Sequence, residues 1–310
     1  MEIDRYRALI CALETGSLSA AAEKLGYTAS GISRMMAALE EENGFSLLIR
    51  SRDGVHPTRE CEQMIPAIRK MLSACDACSQ LSAQIRGIET GTVTIGSAYS
   101  SYYVWISQIA SQFCQKHPGI QIQIQNGLST QLSMETQQKQ MDLCFLSKRE
   151  GLFDWIPLQE DPLMAWVPPN HPLAALPCIP VEAFTKESYI DICPGQDSDN
   201  VRVFESLSLR PNTQFTTIDS YAACCMVEAG LGLAMNNAIN SQPWTRNIKI
   251  LPLDPPQIVQ IGIAVTQDPT PAVKTFLDFL TSRLHEIKNL PIPSSPSHTE
   301  SPSSAPNRSV

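Results

Sequence analysis

The stretch that decides the fold lies near the N-terminus, where residues 16–44 read GSLSAAAEKLGYTASGISRMMAALEEENG. Ser17 and Thr28 are suitable N-cap residues, and each precedes a run whose apolar side chains recur with helical spacing. Gly26 and Gly44 follow these runs, and glycine adopts the left-handed conformation at a helix C-terminus without steric cost. The stretch therefore predicts two helices joined by a tight turn, which is a helix-turn-helix.

The flanking residues extend this motif to a small domain. Residues 6–13 carry an apolar stripe at helical spacing, which predicts one more helix before the motif. After Gly44, two short apolar runs flank Arg50-Ser51-Arg52-Asp53-Gly54, and Asp-Gly is a strong signal for a hairpin turn. Residues 1–58 are therefore predicted to form a winged helix-turn-helix with two arginines near the tip of the wing.

A long linker helix is predicted at residues 59–89. Its apolar positions fit a heptad repeat, the pattern of a helix that pairs with a second helix. The a and d positions of that repeat are Cys61, Met64, Ile68, Met71, Cys75, Cys78, Ser82 and Ile85. Pro66 is expected to kink the N-terminal part of the helix. The repeat predicts a homodimer that forms through the linker helix.

From Gly91 onward the pattern changes to strands that alternate with helices, which predicts parallel strands with crossover helices. A second series of the same kind begins near Ser188. Residues 90–290 are therefore predicted to form two α/β lobes. Lobe I is placed at about 90–163 and 267–290, and lobe II at about 164–266.

Composition limits the class of protein. The chain has 310 residues, of which 43% are hydrophobic and 17% charged, and this balance excludes wholesale disorder. No window approaches about 18 uninterrupted apolar residues, so no membrane span is expected. The first residues lack the pattern of a secretory signal, so we expect a cytoplasmic protein with reduced cysteines. Residues 291–310, rich in proline and serine, are expected to be a disordered tail.

The net charge of −8 does not by itself indicate nucleic-acid binding, because DNA-binding proteins usually carry a basic excess. Residues 28–59 are formally neutral, with four arginines and four carboxylates. Their positions matter more than their sum. The arginines lie at the start of the third helix and on the wing, whereas the glutamates lie toward the far end of that helix.

With these motifs the chain resembles the LysR-type transcriptional regulators over about residues 1–290. The resemblance is most specific at residues 16–25, 28–40, 50–52 and 54–55, and looser at residues 93–96, 117–118, 141–143, 171–174 and 228–232. Cys61 stands where the family usually has glycine, and Ala29 where it often has glutamine. Both departures bear on which bases are read, and neither breaks the architecture.

The resemblance implies a winged helix-turn-helix that reads double-stranded DNA and a linker helix that forms the dimer. It also implies a C-terminal two-lobed α/β domain, similar to periplasmic solute-binding proteins, that binds a small-molecule effector between its lobes. Family members commonly assemble as tetramers. The chain is accordingly expected to regulate transcription without being an enzyme and without a cofactor or bound metal.

Candidate DNA contacts follow from the outward face of the third helix, at Thr28, Ala29, Ser30, Ser33 and Arg34. In the major groove an arginine can bond O6 and N7 of guanine together, and serine can contact base edges or phosphate. On the wing, Arg50 and Arg52 are expected to contact phosphate or the minor groove, with an ordinary surface position as the alternative.

Candidate effector contacts follow from strand ends, because ligands of open α/β sheets bind beyond the carboxyl ends of the strands. The candidates are Ser97, Tyr99, Ser100, Ser101, Ser129, Thr130 and Gly195. Helix starts at such places expose N–H groups that favour a carboxylate or phosphate. For each hydroxyl, helix capping is the alternative role. No arginine lies within these segments, so an anionic effector is left open.

Two other functions are weighed against a regulator. A cytosolic small-molecule binding protein without DNA-dependent function fits the two lobes but gives no role to the first 90 or so residues. An enzyme that uses the same cleft has no catalytic constellation to support it. Cys75 and Cys78, on the predicted seam, are expected to be reduced and buried, with a redox cross-link between subunits as the alternative.

Overall fold

The computed structural model describes residues 2–241 and 247–288, so the predicted tail at residues 291–310 lies outside the described residues. By contacts, the chain divides into two compact units. The first contains the chain up to Pro157 together with Ile261–Ser282, and the second contains Leu158–Gln260 and the described residues from Arg283 onward. None of the helices within the described ranges has the length and apolar character needed to cross a membrane.

The N-terminal domain consists of three helices and a two-stranded wing. Its elements are α1 (Ile3–Thr15), α2 (Leu18–Leu25), α3 (Ala29–Asn43), β1 (Leu48–Ser51) and β2 (Gly54–Pro57). Ser17 caps α2 and Thr28 caps α3, each through a side-chain oxygen that accepts the N–H of the third helical residue. Gly26 and Gly44 end these helices in the left-handed conformation. The predicted winged helix-turn-helix is confirmed.

One apolar core holds this domain together. Ile32, Met36 and Leu39 of α3 are buried in it together with Leu9 of α1. Burial of such side chains stabilises the fold by about 2 kcal/mol each. These side chains fix which face of α3 points inward, and they leave the opposite face to solvent.

The turn of the wing differs from the prediction in one detail. Ser51 pairs with Gly54, so the loop consists of Arg52 and Asp53 rather than Asp53 and Gly54. Gly54 is needed for a different reason. Its φ is +123°, and a Cβ at this position would lie 2.8 Å from the carbonyl oxygen of Gly16. The wing therefore approaches the end of α1 closely.

Helix α4 (Arg59–Ile85) is the linker helix and runs continuously through Pro66. Cys61, Ile68 and Leu72 are buried in the core of the N-terminal domain. Two of the positions that the heptad assigned to the dimer seam are therefore already occupied within this chain. Seven apolar residues with 3-4 spacing stay at least partly exposed on α4, namely Met64, Ala67, Met71, Ala74, Cys78, Leu81 and Ile85. We call this set the linker stripe.

Lobe I belongs to the first unit and is built on parallel strands. Its elements are β3 (Gly91–Ser97), α5 (Tyr103–Lys116), β4 (Ile120–Asn126), α6 (Ser129–Gln137), β5 (Leu143–Ser147) and, late in the chain, α9 (Pro271–Thr281). β3 pairs in parallel with both β4 and β5. The carboxyl ends of these three strands therefore lie at one edge of the sheet.

The second unit holds most of the remaining α/β structure. Its elements include β7 (Ile179–Pro180), β8 (Tyr189–Ile192), α7 (Asp199–Ser206), β9 (Thr213–Thr217), α8 (Ser220–Glu228), β10 (Ala234–Asn237), β11 (Lys249–Asp254) and α10 (Leu284–Lys288). β8 and β9 pair in parallel. The mixed α/β class that the sequence predicted is confirmed.

Two long strands cross from one unit to the other, β6 (Phe153–Val167) and β12 (Ile258–Thr266). The sequence placed the lobe borders near residues 163 and 266, in β6 and at the end of β12, and this placement stays a prediction. Because both strands run without interruption through the borders, their apolar pattern does not mark where one unit ends.

Candidate DNA-binding surface and effector site

The outward face of α3 presents the predicted DNA contacts together. Thr28, Ala29, Ser30 and Arg34 are exposed, and Ser33 is half-buried. Thr28 Oγ1 lies 3.2 Å from Ser30 Oγ, and Arg34 Nε donates to the carbonyl oxygen of Ser30 at 3.4 Å. Hydroxyl groups and one guanidinium therefore share a helix face that is open to solvent.

The arginines of this surface keep their positive charge without a carboxylate partner. Among residues 2–241 and 247–288, no ion pair forms at Arg34, Arg50 or Arg52. Arg50 and Arg52 are exposed, at the end of β1 and in the loop of the wing. The helix face and the wing thus carry unneutralised cations, as phosphate contacts require.

Two of the neighbouring glutamates, Glu40 and Glu42, contact other groups of the domain. Glu40 points into the domain, where its Oε1 accepts hydrogen bonds from Leu47 N at 2.7 Å and Leu48 N at 3.1 Å. Glu42 lies 3.8 Å from the guanidinium of Arg5 on α1. Glu41 and Asp53 are exposed, so the case for DNA rests on where Arg34, Arg50 and Arg52 lie and not on a net positive charge.

At the end of β3, Ser97 and Tyr99 are buried and shape the loop. Ser97 Oγ donates to Tyr99 O at 2.9 Å and accepts from Tyr99 N at 3.2 Å. The Tyr99 ring is 2% exposed and meets the Tyr102 ring edge-on, with centroids 6.1 Å apart. In the same loop Ser100 is exposed and Ser101 half-buried. Ser100 and Ser101 are therefore more accessible to an effector than Ser97 and Tyr99.

A second polar cluster joins the start of α6 to the end of β5, and sequence reasoning missed its central residue, Arg149. Arg149 is 8% exposed, and its Nε donates to Thr130 Oγ1 at 2.8 Å. Its Nη1 donates to Ser147 Oγ at 2.8 Å, and Ser147 N donates to Ser129 Oγ at 3.1 Å. Arg149 is the second residue after the end of β5. The sequence analysis looked for ligand contacts beyond the carboxyl ends of β3 and β4. The same search beyond the end of β5 would have selected Arg149.

The start of α6 adds further donors at this edge. Leu128 occupies the N-cap, and its side chain cannot accept a hydrogen bond.

Gly195 belongs to the second unit, where it is exposed in the loop after β8 with φ +73°. Its role in effector binding stays a prediction.

The cysteines differ in burial, and burial determines the pKa of a thiol. Burial raises the pKa of the Cys61 thiol to about 11 and that of the Cys144 thiol to about 12, so both stay protonated at neutral pH. Cys75 is half-buried, whereas Cys78 is exposed and lies on the linker stripe. Within the described part of the chain, no cluster of histidine, cysteine and carboxylate side chains is arranged to hold a metal ion.

A winged helix-turn-helix with free arginines, followed by a linker helix and an α/β domain, is the architecture of a transcriptional regulator. Two family models match the chain. "Bacterial regulatory helix-turn-helix protein, lysR family" matches residues 3–62, and "LysR substrate binding domain" matches residues 86–285. The chain therefore belongs to the LysR family, as a DNA-binding transcriptional regulator with an effector-binding domain.

Curated relatives agree with this membership. The chain is 24% identical over 283 residues to YvbU of Bacillus subtilis (strain 168), an uncharacterized HTH-type transcriptional regulator, covering 90% of this chain and 97% of YvbU. It is 25% identical over 293 residues to LrrA of Synechococcus elongatus, a probable HTH-type transcriptional regulator, covering 93% of this chain and 99% of LrrA. These relatives are regulators and not enzymes, which confirms the expectation drawn from the sequence.

Solved structures show the same fold. Full-length OxyR from Pseudomonas aeruginosa matches with a TM-score of 0.68 at 20% identity, covering 90% of this chain and 94% of that protein. Full-length CbnR in complex with its target DNA matches with a TM-score of 0.56 at 17% identity, covering 91% and 99%. The effector-binding domain of QuiR in complex with shikimate matches with a TM-score of 0.53 at 21% identity, covering 64% and 99%.

Proposed function

We propose that the chain reads DNA by placing α3 in the major groove and the wing against the adjacent backbone. The observation that carries this proposal is Arg34, exposed without a carboxylate partner on the same helix face as Ser30 and Ser33. Its guanidinium is the group best suited to bond a guanine edge, and the wing arginines supply phosphate contacts. The complex of CbnR with its target DNA, which shares the fold, supports this reading.

The test is Arg34→Ala in the full-length protein. We expect the affinity for DNA upstream of its own gene to fall at least about 30-fold, because each lost guanine contact costs about 1–3 kcal/mol and a dimer loses two. Gel shift and footprinting measure the loss, and sedimentation should show an unchanged oligomer.

Arg210→Ala is the matched control, because Arg210 is an exposed arginine of the second unit and the same charge is removed. Its DNA affinity should stay within about threefold of the wild type. A wild-type footprint with Arg34→Ala, or an equal loss in both variants, would count against the assignment.

For the effector, we propose a small molecule that carries a carboxylate and binds at the carboxyl ends of the lobe I strands. Arg149 places a buried guanidinium there, beside Ser129 and Thr130 at the start of α6. A guanidinium and a helix start both favour an anion. Ser100 and Ser101, at the end of the neighbouring strand, supply further hydroxyl groups.

Thermal shift with a panel of small carboxylic acids and their uncharged amides tests this proposal. At least one acid should raise the melting temperature of the wild type, whereas its amide should not. In Arg149→Gln the affinity for that acid should fall about 10- to 100-fold, since a charge-assisted hydrogen bond contributes about 1.5–3 kcal/mol. Arg210→Gln serves as the control. The proposal fails if the amides bind as well as the acids, or if Arg149→Gln retains wild-type affinity.

We also propose a homodimer in which the linker stripe of one chain covers that of a second copy. Its residues are apolar, partly exposed and spaced as paired helices require. Assembly to a homotetramer and a cytoplasmic location, where the chromosomal DNA of a bacterium lies, belong to the same proposal. A small-molecule binding protein without DNA-dependent function is not favoured, because the helix-turn-helix family model matches residues 3–62.

A further inference from the structure

Two exposed hydroxyl groups at the start of α3 form a pair. Thr28 Oγ1 and Ser30 Oγ lie 3.2 Å apart, and either oxygen can be the donor. Both residues are exposed on the face of α3 that also carries Arg34. Since the N-terminal residues of a recognition helix approach the base edges, this hydroxyl pair lies where α3 would meet DNA.

One hydroxyl of the pair is already held by the helix. As the N-cap residue of α3, Thr28 accepts the N–H of Gly31 at its Oγ1, at 3.0 Å. The fit is close, because a Cβ on Gly31 would lie 3.1 Å from Thr28 Oγ1. A hydroxyl group has one hydrogen and two lone pairs. The cap therefore occupies one lone pair of Thr28 and leaves its hydrogen for a second bond.

The other hydroxyl has more capacity left. Thr28 Oγ1 has two neighbours, Gly31 N and Ser30 Oγ, whereas Ser30 Oγ has only Thr28 Oγ1 among the residues that the structure describes. In the protein alone the bond between the two hydroxyls can run in either direction. The phosphate oxygens and the purine N7 atoms of DNA are acceptors. An acceptor beside Ser30 takes the Ser30 hydrogen, and the Thr28 hydrogen then goes to Ser30 Oγ.

The backbone of Ser30 also orients Arg34. Arg34 Nε donates to Ser30 O at 3.4 Å. Within residues 2–241 and 247–288 the two Nη groups of Arg34 form no hydrogen bond, so they stay available for a guanine edge. Ser30 is thus joined to Thr28 through its side chain and to Arg34 through its carbonyl group.

We propose that Thr28 is a positioning residue that makes Ser30 a hydrogen-bond donor to DNA. The N–H of Gly31 donates to Thr28 Oγ1, the Thr28 hydroxyl donates to Ser30 Oγ, and the Ser30 hydroxyl donates to a purine N7 or a phosphate oxygen. Such a chain polarises each of its bonds and strengthens the last one. Thr28 therefore acts on DNA through Ser30 and does not contact DNA itself. This inference rests on the proposed placement of α3 in the major groove.

A double-mutant cycle in the full-length protein tests this assignment. The variants are Ser30→Ala, Thr28→Gly and the two combined, and gel shift measures their affinity for DNA upstream of the chain's own gene. Glycine removes the Thr28 hydroxyl but is itself a tolerated N-cap residue, so α3 loses little stability. We expect each single change to weaken binding about 5- to 150-fold, the effect of one neutral hydrogen bond in each of two copies. The combined variant should bind within about twofold of Ser30→Ala, because the chain of bonds is already broken.

Two controls separate this role from that of a helix cap. Thr28→Ser keeps the hydroxyl and should bind DNA as the wild type does. Thr58→Gly makes the same substitution at the N-cap of α4, where the Thr58 hydroxyl accepts the N–H of Cys61 and donates to Ser46 O. Its effect on DNA affinity should be the same factor with and without Ser30→Ala.

Two results would overturn the role of Thr28. One is a Thr28→Gly change that weakens binding by the same factor with and without Ser30→Ala. The other is a Ser30→Ala protein that binds as tightly as the wild type. The proposed function is decided separately by Arg34→Ala. If Arg34→Ala loses affinity while the two hydroxyls act independently, α3 reads DNA and only the role of Thr28 fails.

Modified DNA identifies the acceptor. Purines of the footprinted half-site are replaced one at a time by 7-deaza analogues, which lack N7, and phosphates by uncharged methylphosphonates. One replacement should weaken binding of the wild type at least about threefold and leave Ser30→Ala unchanged. A 7-deazapurine with this effect places the acceptor on a base, and a methylphosphonate places it on the backbone. If no replacement distinguishes the two proteins, Ser30 donates to neither acceptor and the proposal is wrong.

Discussion

At the scale of single residues, Asp161 of the second unit is a buried carboxyl group whose ionised form destabilises the fold. It is 4% exposed, and its Oδ1 accepts the N–H of Ile239 at 3.0 Å. Burial raises the pKa of this carboxyl from 3.8 to about 6, and the hydrogen bond from the Ile239 N–H offsets part of that effect. Since the pKa is higher in the folded chain, the ionised carboxylate opposes folding above about pH 6, and the penalty disappears below about pH 4.

Asp161→Asn is therefore expected to stabilise the protein at neutral pH. The gain in the free energy of unfolding should reach up to about 3 kcal/mol near pH 7.5, the equivalent of the pKa shift. It should fall toward zero as the pH decreases from about 6 to about 4, where the wild-type carboxyl becomes protonated. Urea denaturation followed by tryptophan fluorescence at several pH values measures this difference.

The exposed neighbour Glu160 provides the control. Glu160→Gln removes the same charge without a buried group and should change the free energy of unfolding by less than about 0.5 kcal/mol at any of these pH values. A gain of equal size for Asp161→Asn at all pH values would show that the ionised carboxylate is not the cause.

At the scale of elements, helix α4 performs two tasks with two faces. One face places Cys61, Ile68 and Leu72 in the core of the N-terminal domain. The other is the linker stripe, which includes Leu81 at 52% and Ile85 at 80% exposure. Large apolar side chains at this level of exposure, in a 3-4 series along a helix, indicate a partner helix. Met64 and Met71 of the stripe also pack against the core of the N-terminal domain, so its C-terminal part, residues 74–85, is the surface that we expect a second copy to cover.

Leu81→Glu tests this assignment. We expect the dissociation constant of the dimer to rise at least about 100-fold, because two buried leucines are lost and two carboxylates approach each other. Analytical ultracentrifugation over a range of concentrations measures it. Ser79→Glu places the same charge on an exposed position of α4 outside the stripe and should leave the dimer intact. If both variants weaken the dimer equally, the linker stripe is not the dimer interface.

At the scale of the whole molecule, we expect DNA binding to depend on assembly. One copy offers few basic contacts, chiefly Arg34, Arg50 and Arg52, in a chain of net charge −8. Phosphate contacts supply much of the affinity for DNA, so a single copy should bind weakly. Two linked copies on paired half-sites convert the second contact into an intramolecular one and raise the affinity without new contacts.

The Leu81→Glu variant therefore also makes a prediction for DNA. Although its α3 surface is intact, its affinity for DNA with two half-sites should fall to that for one half-site, a loss of about 100-fold or more. Gel shift with one-site and two-site fragments compares the two affinities. A Leu81→Glu protein that stays monomeric and still prefers two sites would contradict the dependence on assembly.

The sequence by itself determined the features that rest on local rules. Ser17, Thr28, Gly26 and Gly44 mark helix ends through contacts within a few residues, so the helix-turn-helix was predictable from their spacing. The alternation of strands and helices predicted the α/β lobes for the same reason. The outward position of Arg34 also followed, because the buried stripe on α3 fixes the opposite face.

Only the tertiary structure decided which side chains meet across long separations. The heptad pattern did not reveal that Cys61 and Ile68 face their own domain, since apolar spacing is the same whichever surface covers it. Arg149 meets Thr130, and Gln80 meets Ala272, through the packing of elements that are distant in the sequence. Such contacts depend on the register and twist of whole strands and helices, which no local pattern encodes.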